Sequence, residues 1–326
     1  MDFNDIVGHD KIIKSLQGTI KRNNVSHSYL LEGPKSIGKT MVAKAFAKTL
    51  LCDEKGTAPC NECKSCIKFD SNNHPDVYVY SSDGKTFKKE KIEELQRTIN
   101  IKPYEGDKKI YILENIDTMT TFAQNSFLKT LEEPPKYATI LMTVTNSHSL
   151  LPTIISRCQI LKFTRIDSSI IMDRLINKYG IDDNRAKIIT SFSNGIIGKA
   201  IDLSVSQEFN DIREELINTI EDTLKGDKSK IFSLSKFFEE NKENIDDILD
   251  MILIWFRDIL FVKELDHNKF IINRDKLDIL NNQSNKLSKM KIHDIIETVK
   301  ETKNNIASKV NFNLAIEIML LKIQEG

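Results

Sequence analysis

The sequence predicts an α/β domain wound around a parallel sheet, followed by a long segment that is helical throughout. Three observations carry that prediction. An apolar run, Tyr29-Leu30-Leu31, leads straight into Gly33-Pro34-Lys35-Ser36-Ile37-Gly38-Lys39-Thr40, and Thr40 to Leu51 then has the composition of a helix. Apolar, β-branched runs without polar alternation recur as far as Phe163, as strands buried on both faces require. Beyond that residue such runs cease, and apolar residues fall at helical spacing.

Taken in order, Val77-Tyr78-Val79-Tyr80 is the next strand, and Ile92, Leu95 and Ile99 mark one face of the helix after it. Lys109 to Leu113 and Thr139 to Val144 read as further buried strands, with Ile160 to Phe163 as the last. Between the third and fourth strands a helix from about Thr121 to Glu132 is stopped by Pro134-Pro135. Phe122, Phe127, Leu128 and Leu131 are its expected core residues, and Lys129 projects elsewhere. Ligand is expected at the carboxyl ends of the strands. Ser168 to Leu203 reads as three short helices parted at Gly180 and at Asn194-Gly195. Ile212, Leu216, Ile220 and Leu224 recur every fourth residue up to a stop at Gly226. Ile245, Ile248, Leu249, Ile252, Leu253, Phe256, Ile259 and Leu260 make a broad stripe around Trp255, the pattern of a bundle core. The polar run Asn281 to Lys289 is expected as a loop and a helix start. Expected domains are 1–164, 165–207 and 208–326.

Lysine plus arginine equals aspartate plus glutamate, at 47 each, so no global positive field draws the molecule onto nucleic acid. The acidic, mixed start Met1-Asp2-Phe3-Asn4-Asp5 does not read as a signal peptide. Met251 to Val262, cut by Arg257 and Asp258, is too short to span a bilayer. A cytoplasmic protein is expected, with thiols kept reduced. Cys52 is followed by Cys60, Cys63 and Cys66, the last three separated by two-residue gaps. Such gaps let thiolates converge on one ion, and four soft sulfurs suit tetrahedral Zn2+ in a closed, structural site. Cys158 stands alone and reads as a small buried side chain.

The glycine loop suits phosphate. In such a loop Gly33, Pro34, Ser36, Ile37 and Gly38 wrap the phosphates of ATP or ADP, Lys39 reaches the β and γ phosphates, and Thr40 offers its hydroxyl to Mg2+. Hydrolysis needs more: an acid that orients the metal, and a group that positions water. The strand that should supply them ends Glu114-Asn115-Ile116-Asp117. Glu114, one methylene longer than Asp, can orient magnesium through water, but Asn115 cannot act as a base. The loop is therefore expected to hold nucleotide with little turnover, or to persist as a structural turn.

With these residues in hand the chain resembles the bacterial clamp loader, the AAA+ assembly that opens sliding clamps for DNA polymerase III. Asp5-Ile6-Val7-Gly8 resembles the box that lines the adenine pocket, which implies nucleotide contacts for Val7 and Gly8. His27 to Pro34 resembles the family's first strand, and the cysteine insert stands where these subunits carry a zinc module. Asn125-Ser126-Phe127-Leu128-Lys129-Thr130-Leu131-Glu132-Glu133-Pro134-Pro135 and Ser156-Arg157-Cys158 are close to family signatures, and Asn311 to Glu317 resembles the last helix. The resemblance implies an AAA+ P-loop domain with a zinc insert, a small helical lid and an all-α collar. It implies gamma/tau and delta subunits as partners, and a sliding clamp and primer-template DNA reached through the complex, with no membrane. It also implies that Arg157 acts in trans, as an arginine finger in a neighbour's ATP site, and that Lys129 can face primer-template phosphate or a neighbouring subunit.

Two subunit types share the pattern, the ATP-hydrolysing gamma/tau type and the delta-prime type. Glu114-Asn115 stands in place of Asp-Glu, and the lid arginine of a Gly-x-x-Arg pattern falls on Gly198, with Lys199 beside it. No further tail is expected after the helical segment. These features resemble the delta-prime type. The rival readings are an autonomous AAA+ ATPase of the gamma/tau type and a nucleotide-gated DNA-binding module.

Overall fold

Residues 2–82, 86–226, 231–265 and 270–325 are described in the computed structural model. The chain divides into two compact units, Met1–Ile171 with Gly195–Lys199, and Met172–Asn194 with Ala200–Gly326.

In the first unit the strands are β1 (Ser28–Glu32), β2 (Val77–Tyr80), β3 (Lys109–Leu113), β4 (Ala138–Val144) and β5 (Gln159–Lys162), all parallel, in the order β2-β3-β4-β1-β5. The register sets Tyr29 beside Leu141 and Gln159, and Tyr111 beside Tyr78 and Ile140. β3 and β4 are buried along their whole length, which explains their unbroken apolar runs. The edge strand β5 can carry Gln159 and Lys162 because it has one neighbour and an open face.

Helices α1 (Asp10–Lys21), α2 (Lys39–Leu51), α3 (Lys64–Asp70), α4 (Lys89–Ile99), α5 (Thr121–Glu132) and α6 (Pro152–Ile155) belong to this unit. The sequence reading did not anticipate α1, which buries Ile13, Leu16 and Thr19. Lys109 opens the buried strand β3 with no exposure, because its ammonium donates to the carbonyls of Thr98 (3.0 Å) and Ile101 (3.1 Å) at the end of α4. The negative end of that helix suits a cation.

One expected core residue is not in the core. Phe122 is 64% exposed, whereas Ala123, Phe127, Thr130 and Leu131 are buried. The buried face of α5 runs through 123, 127, 130 and 131, and Phe122 sits about 100° off that stripe. Its ring lies under the Lys89 ammonium, 4.8 Å from the centroid. Thr120 caps the helix by accepting from the Ala123 N–H.

Helices α7 (Ser168–Tyr179), α8 (Asp183–Ser193), α9 (Ile197–Val205), α10 (Gln207–Leu224), α11 (Ile231–Glu240), α12 (Ile245–Glu264), α13 (Leu277–Lys286), α14 (Lys289–Ala307) and α15 (Phe312–Gln324) follow, the starts of α7 and α9 lying in the first unit. In the second unit Ile248, Leu249, Ile252, Phe256 and Ile259 of α12 are core residues, and α12 packs against α13 and α14. Trp255 is buried, and its indole N–H donates to Gln283 Oε1 at 2.9 Å. That bond locates a correction: 281–286 is helix, not loop. Leu280 and Gln283 face the core, and the break is confined to Leu287-Ser288. Among the described residues, no helix is long and apolar enough to cross a membrane.

Candidate functional site

The carboxyl ends of β1, β3 and β4 stand side by side and bring the glycine loop, Glu114–Asp117 and Asn146–Ser147 to one end of the sheet. Gly33 is required where the loop leaves β1: a Cβ there would lie 2.7 Å from Phe163 Cβ and 2.8 Å from the Phe163 carbonyl oxygen. Gly38 has φ +109°, which favours glycine, and Ser36 takes a left-handed φ of +61°. Lys39 is buried, and its ammonium donates to the carbonyls of Gly33 (2.6 Å) and Pro34 (2.7 Å). Burial pushes its pKa down, and the Asp117 carboxylate opposes that shift. Ile37 is buried and Thr40 half-buried at the start of α2. Val7 and Gly8 lead into His9, whose ring nitrogen pairs with the Ile37 carbonyl at 3.0 Å and whose edge meets the Phe163 ring. Burial lowers the His9 pKa against that bond.

The start of α9 touches the same loop. The Gly198 N–H donates to the Ser36 carbonyl at 3.0 Å, and a Cβ on Gly198 would lie 2.5 Å from that oxygen. The position where the resemblance expects a lid arginine thus has no room for a side chain.

Glu114 is half-buried, and its N–H is spent on the Tyr80 carbonyl. Asn115 is exposed at φ +56°, with its N–H donating to Thr143 Oγ1 at 3.0 Å. Two acids that the motif reading passed over complete the set. Glu32 accepts from Ser147 through Oγ (2.7 Å) and N–H (3.1 Å), which holds its carboxyl below the usual range. Glu32 Oε2 and Asp117 Oδ1 are buried without a hydrogen-bond partner. Such orphaned acceptors fit the water shell of a Mg2+–nucleotide held by Lys39 and Thr40. Asp117 could have been found by reading past the two positions usually inspected after such a strand.

The cysteines converge. The sulfurs of Cys52, Cys60, Cys63 and Cys66 all lie within 4.8 Å of one another, with Cys60 and Cys66 4.0 Å apart. Four sulfurs bound at about 2.3 Å around a tetrahedral zinc would be about 3.8 Å apart. Backbone N–H groups point at the sulfurs: that of Cys60 at Cys52, that of Cys63 at Cys60, and that of Cys66 at Cys63. The donors from Glu62 and Cys63 bring the Cys60 thiol down to about 7, whereas burial pushes Cys52 and Cys66 up. The donor set fits a structural zinc. Lys48 of α2, with no exposure, ties the insert down through Asn61 Oδ1 and Asp70 Oδ2, both at 2.6 Å.

Arg157 follows α6 at the opposite end of the sheet. Its carbonyl accepts from Ser28 Oγ at the start of β1, and the glycine loop begins after Glu32 at the other end. Five strand residues separate those ends by about 16 Å, beyond the reach of an arginine side chain. The guanidinium, 33% exposed, donates to Glu132 Oε1 through Nη2 and to the Thr153 carbonyl through Nη1, each at 2.8 Å. Cys158 is half-buried, its thiol donating to the Ile154 carbonyl, and burial pushes it up to about 11, which makes it a poor nucleophile. Lys129 is exposed.

The family profile described as "DNA polymerase III, delta subunit" matches residues 8–167, and that described as "DNA polymerase III, delta subunit, C terminal" matches residues 207–325. DNA polymerase III subunit delta' of Bacillus subtilis (strain 168) is 33% identical over 97% of this chain and 96% of its own. The tau subunit of the same organism is 27% identical over 98% of this chain, which spans 61% of that relative. A solved DNA polymerase III gamma subunit-related protein from Thermotoga maritima aligns at a TM-score of 0.46 and 16% identity, over 96% of this chain and 98% of that one.

Proposed function

Since the chain belongs to the DNA polymerase III delta-subunit family, we propose that it works as a delta-prime-type subunit of a clamp loader in the cytoplasm. In this reading it hydrolyses little or no ATP and lends Arg157 to ATP held by a gamma/tau neighbour, while the complex, with its delta subunit, loads a sliding clamp onto primer-template DNA. The observation that carries the reading is a complete phosphate loop beside a strand end that reads Glu114-Asn115, with Asn115 exposed and unable to take a proton. Gly198, packed on Ser36, further supports it.

Val7, Gly8, Lys39 and Thr40 would hold ATP or ADP, with Glu114 and Asp117 reaching magnesium through water. The guanidinium of Arg157, one-third exposed and about a strand's length from its own loop, supports action in trans: its planar donors would meet charge rising on the transferred phosphoryl group. Cys52, Cys60, Cys63 and Cys66 would hold zinc as a structural ion. Residues 165–207 would serve as the lid and 208–326 as the collar.

Reconstitution with gamma/tau and delta partners tests this. Arg157→Ala is expected to lower clamp- and DNA-stimulated ATPase by about 10³-fold with assembly intact. An unchanged rate removes the trans role. The intact loop keeps one alternative alive, a gamma/tau-like ATPase, which turnover by the isolated chain, abolished by Lys39→Ala, would favour.

A further inference from the structure

We infer that Glu132 is the positioning residue for Arg157, an inference that rests on the trans-finger reading above. Arg157 follows a helix of only four residues, Pro152–Ile155, so little of its own element fixes the side chain. Two contacts do. Nη2 donates to Glu132 Oε1 and Nη1 to the Thr153 carbonyl, both at 2.8 Å. Glu132 is the last residue of α5, a helix anchored by buried Phe127 and Leu131 and by Gln124. The Gln124 amide donates to the carbonyls of Met119 and Ser149, and its oxygen accepts from the Leu151 N–H, one residue before α6. Both ends of the clamp on Arg157 are therefore set by one packed layer.

A guanidinium has five N–H donors in a fixed plane. Three are engaged here, one of them weakly, which leaves others for an external anion while the plane stays put. The side chain is one-third exposed and Glu132 about half exposed, so the ion pair adds little to stability. Its contribution is orientation: a flexible arginine would lose rotamer freedom on reaching a phosphate, and a held one has lost it already.

The experiment is a double-mutant cycle in the reconstituted complex, reading ATP turnover, KM for ATP and assembled mass. Glu132→Ala is expected to lower kcat about tenfold with KM and assembly unchanged. Glu132→Gln, which keeps an acceptor oxygen, should recover most of that loss. In the Arg157→Ala background Glu132→Ala should have no further effect. An equal loss in both backgrounds, or a faster Glu132→Ala complex, overturns the inference while leaving the finger standing. A complex indifferent to Arg157→Ala overturns both.

Discussion

Replacing Gly198 by alanine sets two effects of opposite sign against each other. Alanine is the better helix former, by up to about 1 kcal/mol at an interior position and less near an N-terminus such as this one. Against that stands the Ser36 carbonyl oxygen, 2.5 Å from the new Cβ, with Ser36 Cβ at 2.7 Å. The obstacle is backbone, so no rotamer change relieves it, and overpacking of this kind costs about 1–3 kcal/mol. Spreading α9 from the loop would also break the Gly198–Ser36 hydrogen bond, for about 1 kcal/mol more. The steric side wins by about 2 kcal/mol, or about 4–8 °C in the melting temperature of a unit this size. Trp255 is the sole tryptophan and lies in the second unit, so its fluorescence reports that unit while far-ultraviolet circular dichroism reports both. The circular dichroism transition should fall and the fluorescence transition should hold. Gly198→Arg, with a far larger side chain at the same point, should destabilise further. A Gly198→Ala chain that melts like the parent would refute the claim that helix and loop are in rigid contact.

Four other outcomes are expected. Cys63→Ser should drop bound zinc well below one ion per chain by elemental analysis and lower the melting temperature; full zinc content in the variant would rule out a four-thiolate site. Lys39→Ala should abolish binding of a fluorescent ADP analogue by the isolated chain, and undiminished binding would make the loop an ordinary turn. Glu32 has a depressed pKa, so its stabilisation is present above about pH 4.5 and lost as pH falls through its folded value. Ser147→Ala should therefore cost about 1 kcal/mol at neutral pH, with the gap to the parent closing in acid; a gap that persists at low pH contradicts the assignment. Trp255→Phe leaves Gln283 Oε1 unpaired in the core and should cost about 1–3 kcal/mol in urea unfolding, a figure that a neutral result would undo.

The strands and the long helices were legible because each is buried in one consistent way. Lys109 to Leu113 and Ala138 to Val144 are covered on both faces, so their apolar runs had no other interpretation. The failures came where a side chain obeyed its partner more than its type. Phe122 lies outside the core under a lysine, and Gln283 and Ser284 lie inside helix α13 although their run looked like a loop. At the site, the glycine loop and the cysteines follow fixed local spacings and could be found by counting. Glu32 pairs with Ser147, and Asp117 comes near Lys39, only because three strands end together, and Gly198 reaches Ser36 from 162 positions along the chain. Pairings of that range leave no periodic trace.

Lys48 joins the phosphate-loop helix to the cysteine segment. It is a fully desolvated cation whose two partners, Asn61 and Asp70, are supplied by the cysteine insert and the helix after it. Disorder in the four-cysteine segment would leave that side chain without its partners on the very helix that begins at Lys39, so the two segments are coupled in stability through one ammonium group.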